Sequence, residues 1–584
     1  MKVLLLFKPN PKIINIQQNI IPNGLLYIAA LLLKNKIDVE ILNLADKDWD
    51  ESKDIIKNKN PDIVGVGCYT FNRQSCIKLA KIIKEIDKEI KVVFGGPHAT
   101  IMFNQLIENY KEIDIIVINE GELTFLDIVN DKPAEKISGI VYRDGDKIIK
   151  NITREALANL DDLPIPAEYF RYKRIVTSRG CPGKCIYCDT PHLWGQKVRF
   201  RSADNVVDEL DILNKKYGIS SFIISDDTFT LDKQRTIDIC KKIINRNLKI
   251  TWDCRSRVNL ICEERLRWMK KAGCVSISYG IESGSQKILD NLKKYINVDQ
   301  IKKAAQITRK FGFNLNYFII VGSPGEDDDT VRETMHLIKQ TKPTSVFVYV
   351  MQLTPGTDIW KMTKNKGFLK ESEWLNSDEE TIFYTLETDI DILKKYVNYV
   401  EGFFKIFKKE FKYTEDELND IIIEEKGVQD LINLANIKLS SGNNEKAEEL
   451  IDEAIKLNHG SSEAMMIKGI ILAMKRDDRC ITYFNKALTF DPENLLAYIN
   501  LGLYQYKQKR YDESICIFRK AIDIEPANIE FYNNLGSILG IKKEYKEAIA
   551  ILKKALLIDP NNKETLRNLA ITLENSNNIE KAEK

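Results

Sequence analysis

The sequence predicts a multidomain protein: an α/β Rossmann-like (flavodoxin-like) domain, then a (β/α)6 partial TIM barrel, then an all-α solenoid. Three observations predict it. Short apolar runs alternate with helical patterns over residues 1–140, six strand-helix units follow over 169–360, and beyond residue 427 the chain repeats itself every 34 residues. Alternating strands and helices imply a parallel sheet covered by helices, and a repeated helix pair implies a stacked solenoid. The 584 residues exceed what one core holds, about 250–300 residues.

In residues 1–140 the strand candidates are 3–7, 39–44, 63–68, 92–94 and 115–118, and 25–33, 75–86 and 102–110 have helical spacing. A ligand of such a sheet sits at the carboxyl ends of the strands. Two of those ends are informative: Gly95-Gly96-Pro97-His98-Ala99-Thr100 follows the fourth strand and Asn119-Glu120-Gly121-Glu122 the fifth. Glycines there let a backbone approach a bulky ligand, although a Gly-Gly alone is equally a tight turn. Residues 141–168 read as hairpin and linker. Alternation around Asp144-Gly145-Asp146 marks a hairpin over about 137–152, and the prolines of Leu160-Asp-Asp-Leu-Pro-Ile-Pro bar helix.

The region 169–360 begins with an apolar run, 172–176, that feeds into Thr177-Ser-Arg-Gly-Cys181-Pro-Gly-Lys-Cys185-Ile-Tyr-Cys188. Three thiols so close together suit one metal centre. A structural zinc site recruits four ligands, whereas three thiolates on a four-iron cluster leave one iron open to a small molecule. Ordinary buried thiols fit poorly, because Gly180, Pro182 and Gly183 break regular structure and Lys184 sits among the cysteines. Downstream strand candidates are 222–225, 250–254, 275–279, 314–321 and 345–351, with helical runs 205–215, 235–244, 264–271, 301–311 and 330–341. With the strand before the cysteines these make six units, a partial barrel whose site lies at the carboxyl ends of its strands. Polar residues gather there: Asp226-Asp227-Thr228, Arg255 and Arg257, Glu282-Ser283-Gly284-Ser285, Gly322-Ser-Pro-Gly-Glu326 and Pro355-Gly356-Thr357. Each alone is equally a helix cap or a solvated loop. Trp252, Cys254 and Cys274 are expected to pack in the barrel.

Residues 361–426 read as a helical extension. Tyr396, Tyr399, Phe403, Phe407 and Phe411 fall at helical spacing, and the expectation is an amphipathic helix packed on the barrel. In 427–584, Phe484, Ala487 and Pro492 recur as Phe518, Ala521 and Pro526 and again as Leu552, Ala555 and Pro560. A degenerate copy precedes them at about 428–460, and a last copy is expected to start near 564 and reach Lys584 within its second helix.

These motifs resemble known families. The Cys-x3-Cys-x2-Cys loop with Tyr187 before its last cysteine resembles the radical S-adenosylmethionine (SAM) superfamily. The resemblance implies a [4Fe-4S] cluster on Cys181, Cys185 and Cys188, with SAM chelating the open iron and cleaved reductively to a 5′-deoxyadenosyl radical. It further implies SAM contacts at Tyr187, at Asp226 or Asp227 for the methionine amino group, at Glu282 and Ser283 for ribose and carboxylate, and near Gly322 for adenine. Residues 1–140 resemble the cobalamin-binding domain that precedes many such enzymes, with Gly95, Gly96, His98, Thr100, Cys68 and Glu120 as candidate contacts. The Asp-x-His-x-x-Gly signature that supplies an axial histidine to cobalt elsewhere is absent, so His98 is not assigned to the metal. The repeats resemble the tetratricopeptide repeat, which presents a concave surface to a protein or peptide partner or supports an oligomer.

The resemblance implies a radical SAM enzyme that transfers methyl through cobalamin to an unactivated carbon of a small-molecule or peptide substrate. Cyclisation, rearrangement or oxidation by the same domains is the alternative, as is a repeat scaffold with a structural or redox-sensing cluster. A reductase or flavodoxin is the expected electron donor. With 87 basic and 85 acidic residues, a net charge of +2 gives no field for nucleic acid or an anionic membrane. The 11 cysteines, odd in number and scattered, suit a reducing compartment better than a disulfide framework. The N-terminal apolar run is too short for a signal peptide and no window reaches a membrane span, so a cytoplasmic protein is expected.

Overall fold

The computed structural model describes residues 1–9, 21–45, 47–370, 372–376 and 382–582. They fall into two compact units, the first running through Met1–Leu6, Pro22–Leu42 and Lys53–Gly460, the second containing Ser461–Lys584.

The first unit begins with β1 (Lys2–Phe7), β2 (Asp38–Asn43), β3 (Ile63–Gly67), β4 (Lys91–Gly95), β5 (Ile115–Val117), β6 (Ile140–Asp144) and β7 (Lys147–Lys150), ordered β2-β1-β3-β4-β5-β6-β7 in one sheet. The β2-β1-β3-β4-β5 part has flavodoxin-like order, with β1, β3, β4 and β5 parallel. Near-continuous apolar runs form these strands because both faces are covered: Val3, Leu4, Leu5 and Leu6 are all buried. The hairpin does not stand apart. β6 pairs antiparallel with β5, and the turn at Asp144 adds β7 as the sheet's edge. Two helices, Trp49–Lys59 and Glu122–Val129, lie where no helix is expected from the sequence. The first is mostly charged and the second is only eight residues long, so neither has a strong period.

Six further strands make the partial barrel: β8 (Arg174–Ile175), then, after the short pair β9 (Ser178–Arg179) and β10 (Arg199–Phe200), β11 (Ser221–Ile224), β12 (Thr251–Ser256), β13 (Cys274–Glu282), β14 (Asn314–Val321) and β15 (Ser345–Val350). Strands β8, β11, β12, β13, β14 and β15 are neighbours in that order and all parallel. Outward side chains of these strands, including Trp252, Cys254, Ile277, Tyr279 and Tyr317, form one core beneath the helices, which also holds Cys274. The helix Ile390–Phe411 seals that core with Tyr396, Val400, Phe404 and Phe411, while Tyr399 stays 48% exposed. Of the aromatic series read from the sequence, Tyr396 and Phe411 lie in the core and Phe403 and Phe407 pack against it, with Val400 and Phe404 completing the inner face.

The helix pair Val428–Ser440 and Asn444–Leu457 closes the first unit against the amino-terminal end of the barrel. Buried Lys270 and Asp430 form an ion pair at 2.7 Å, Asn458 donates to the Ile250 carbonyl at 3.0 Å, and Ser220 Oγ donates to the Gly460 carbonyl.

In the second unit the repeats have one joint. Cβ atoms added at Gly469, Gly502 and Gly536 would lie 2.7, 2.7 and 2.6 Å from Phe484, Phe518 and Leu552, so each glycine lets paired helices touch. The last copy differs from expectation: Lys563–Ala582 is one continuous helix and not a helix followed by the start of another. No helix among the described residues is long and apolar enough to cross a membrane.

Candidate active site

The cysteine loop leaves β9 through Gly180, whose φ of +101° is a left-handed conformation that a side chain disfavours. Cys181, Cys185 and Cys188 are all free and half-buried. At Gly183 a Cβ would stand 3.3 Å from the Cys181 sulfur and 3.9 Å from that of Cys185, so the loop curls around its own thiols. Burial pushes the Cys188 thiol up to about 12. Among the described residues no three His, Cys, Asp or Glu side chains are close enough to hold a single ion. Three cysteine thiolates are the donor set of a [4Fe-4S] cluster, in which each takes a different iron.

The carboxylate of Asp226 fixes the stem of this loop. It accepts from Thr177 N and Oγ1, both at 2.6 Å, and from Ser178 N at 3.3 Å and Oγ at 2.6 Å. Four donors satisfy it, so Asp226 positions the stem and has little left for a ligand. Asp227 differs. It is accessible because it faces a cavity, yet the protein around that cavity and the adjacent Asp226 carboxylate raise its carboxyl to about 6. Geometry thus separates two residues that the sequence leaves as alternatives.

Behind the cysteines, Glu282 sits at a β-bulge in β13 with φ +64°, rare for a residue with a side chain. It is buried against Lys294 at 2.6 Å and accepts from Tyr187 OH at 3.0 Å. Burial opposes the Lys294 charge, but the Glu282 carboxylate more than offsets this and lifts its pKa. Lys294 carries no signal in the sequence, where Lys293-Lys294 reads as a solvated pair. Ser283 is fully buried, its hydroxyl shared with Thr334 at 3.2 Å and the Ser285 amide at 3.1 Å. Its hydroxyl therefore joins β13 to the helix Asp328–Thr341. Gly322, φ +81°, turns the chain after β14, and its amide donates to Glu326, whose carboxyl burial raises to about 7.

A cavity of about 250 Å³ opens at the carboxyl ends of β1, β3, β4 and β5, where a flavodoxin-like sheet reverses its strand order. Glycines 65, 67, 95, 96 and 121 pave it, and Ser178, Arg179, Asp226 and Asp227 form its far wall. Gly96 has φ +100°, and a Cβ there would stand 2.8 Å from the Cys68 carbonyl, so only glycine fits. Of the candidate cobalamin contacts, Gly95, Gly96 and Glu120 line this cavity. Cys68, His98 and Thr100 do not. Cys68 is buried with its carbonyl accepting from the His98 amide, and Thr100 Oγ1 accepts from the Asn119 amide. His98 is 1% exposed, bonded through Nδ1 to Thr70, beside Trp374, and burial drives its pKa down to about 3. It is a neutral packing residue turned away from the cavity. Glu120 accepts from Arg199 at 3.0 Å and the Leu157 amide at 3.1 Å and pairs with Arg179 at 3.2 Å, tying the β5 loop to the cysteine stem. Arg179 also pairs with Glu122 and lies over the rings of Tyr27 and Trp194. Arg179 was legible in the cysteine motif as a charge, but its partners are distant in sequence.

The donor set fits a [4Fe-4S] cluster, and the glycines of the cavity offer one face of a bulky cobalt cofactor a surface free of side chains, with no histidine among the lining residues. The Radical SAM superfamily matches residues 175–338, the B12 binding domain residues 11–129, and tetratricopeptide repeats residues 431–459, 495–528 and 542–584. An uncharacterized methyltransferase of Pyrococcus horikoshii is 33% identical over 393 residues, 64% of this chain and 85% of the relative. The anaerobic magnesium-protoporphyrin IX monomethyl ester cyclase of Rubrivivax gelatinosus is 29% identical over 343 residues, 55% of this chain and 62% of the relative. The structure of the radical SAM methyltransferase TsrM from Kitasatospora setae, with cobalamin and a [4Fe-4S] cluster bound, shares the fold at a TM-score of 0.54 and 20% identity, over 63% of this chain and 75% of that one.

Proposed function

This chain belongs to the radical SAM enzymes that carry a B12-binding domain, and on that premise we propose that it is a cobalamin-dependent methyltransferase acting on an unactivated carbon. One observation carries the reading: Ser178 and Arg179, in the stem of the cysteine loop, are also a wall of the glycine-paved cavity. A methyl donor in the cavity and a radical generator on the loop would share one space, and holding reactants together is the protein's main contribution to such chemistry. When bound, cluster and SAM supply a 5′-deoxyadenosyl radical, and cobalamin supplies the methyl group.

The chain's own residues have separable tasks. Cys181, Cys185 and Cys188 hold the cluster. Asp227, ionised above about pH 6, would accept from the amino group of SAM, and Asp226 keeps the stem in register. The Glu282–Lys294–Tyr187 group fixes the back of the loop. Gly95, Gly96 and Glu120 shape the cobalamin site. The match to the cyclase supports a second reading, radical ring closure without methyl transfer.

The test is anaerobic reconstitution with iron, sulfide and hydroxocobalamin, then addition of SAM and dithionite. Formation of 5′-deoxyadenosine with about one bound cobalamin per chain supports the proposal. Deoxyadenosine without bound cobalamin favours the second reading, and neither signal refutes both.

A further inference from the structure

The inner face of the barrel carries a cation, Arg255, whose guanidinium feels the Asp227 carboxylate but, among the described residues, forms no ion pair with it. The pleat assigns it there: on β12, Trp252 and Cys254 point outward into the core, so Asp253 and Arg255 point inward. By the same alternation Asn316 and Phe318 of β14 and Phe347 and Tyr349 of β15 face the lumen. Arg255 lies with its guanidinium 5.7 Å from the centre of the Phe318 ring. Among the described residues its guanidinium makes no hydrogen bond and no ion pair, although the side chain is partly buried. Arginine keeps its charge and presents five donors, so a half-buried, unpaired guanidinium at a strand's carboxyl end is poised for an anion. Arg257, two residues on, is already engaged with the Lys294 carbonyl.

The rings beside it form a wall. Phe318 is 5.6 Å from Phe347 and 6.0 Å from Tyr349, centre to centre. Phe347 remains 45% exposed, a large apolar ring left open inside a barrel. Below them, Asn316 Nδ2 donates to Ser276 Oγ at 2.8 Å, so the floor already uses one of its donors internally.

We propose that this face binds a substrate made of a flat unsaturated body bearing a carboxylate or phosphate. Arg255 grips the anion, and Phe318, Phe347 and Tyr349 receive the flat body. The inference rests on the radical SAM reading for its chemistry, but binding is tested without turnover.

The probes are 2-naphthoate and its neutral isostere 2-naphthamide, titrated by calorimetry into the reconstituted full-length protein, with SAM binding followed by equilibrium dialysis. Wild type is expected to prefer naphthoate by about tenfold or more. Well above pH 6, where Asp227 is ionised with or without the arginine, Arg255→Met should abolish the preference and leave SAM bound, and Arg255→Lys should restore part of it. Phe347→Ala should weaken both probes alike. Iron content and far-UV spectra show whether each variant has folded. Equal or absent binding of the two probes to wild type overturns the proposal. So does loss of SAM binding in Arg255→Met with the naphthoate preference intact, which would assign Arg255 to the carboxylate of SAM. A naphthoate preference in a protein that forms no 5′-deoxyadenosine would sink the functional reading and leave this one standing.

Discussion

Replacing Lys294 with methionine removes the cation from a buried pair and leaves Glu282 stranded. The two side chains are 9% and 7% exposed and 2.6 Å apart. Breaking such a pair from one side costs about 3–5 kcal/mol, because the remaining charge keeps its desolvation penalty. The Tyr187 hydrogen bond to Glu282, 3.0 Å, survives in the variant and holds the effect toward the lower figure. At about 1.4 kcal/mol per decade, 3 kcal/mol is a factor of about 10² in local opening. Hydrogen exchange of the amides in β13 and the cysteine loop is the suitable assay, since a chain of several domains does not melt in two states. Exchange in those segments should accelerate by roughly 10² to 10³ in Lys294→Met. In the double variant Lys294→Met/Glu282→Gln no charge is buried, and exchange should return to within about tenfold of wild type. Equal acceleration in the single and double variants would refute the reasoning, because the effect would then come from lost packing alone.

Gly67 faces the cavity, and a Cβ there meets Leu25 only at 3.5 Å. Gly67→Leu should therefore fold, retain its iron and lose cobalamin by about tenfold or more, read by absorbance after gel filtration. Asp227 has a raised carboxyl pKa of about 6, so its negative charge disappears as pH falls through that value. SAM affinity should drop below about pH 6 in wild type and stay flat in Asp227→Asn; identical profiles would remove Asp227 from the SAM site. In the repeats, Gly502→Ala places a Cβ 2.7 Å from the Phe518 ring and should cost about 1–3 kcal/mol of overpacking. Proteolysis should then increase within Ser461–Lys584 while iron content and 5′-deoxyadenosine yield remain those of wild type.

What the sequence determined follows from short-range rules. Strands covered on both faces must be apolar throughout, so β1 and β3 stand out, the barrel strands show by their alternation of outward apolar residues, and the 34-residue period shows by the glycines that meet Phe484, Phe518 and Leu552. The cysteine loop is also local, since three thiols and two glycines within a few residues define its chemistry. Tertiary structure decided the rest, because it depends on which side chains meet across long separations. Asp226 and Asp227 are adjacent and chemically identical and both line the cavity, yet the oxygens of Asp226 are consumed by Thr177 and Ser178 while Asp227 is the more accessible. His98, beside the Gly-Gly turn, rotates into a dry packing site against Trp374. Ser283 turns to Thr334 because β13 bulges at Glu282. Lys294, Arg179 and Arg199 look like ordinary surface charges in sequence, and only the fold brings carboxylates to them. Arg255 was visible as a residue at a strand end, but its place over Phe318 on the barrel's inner face is set by strands distant in sequence.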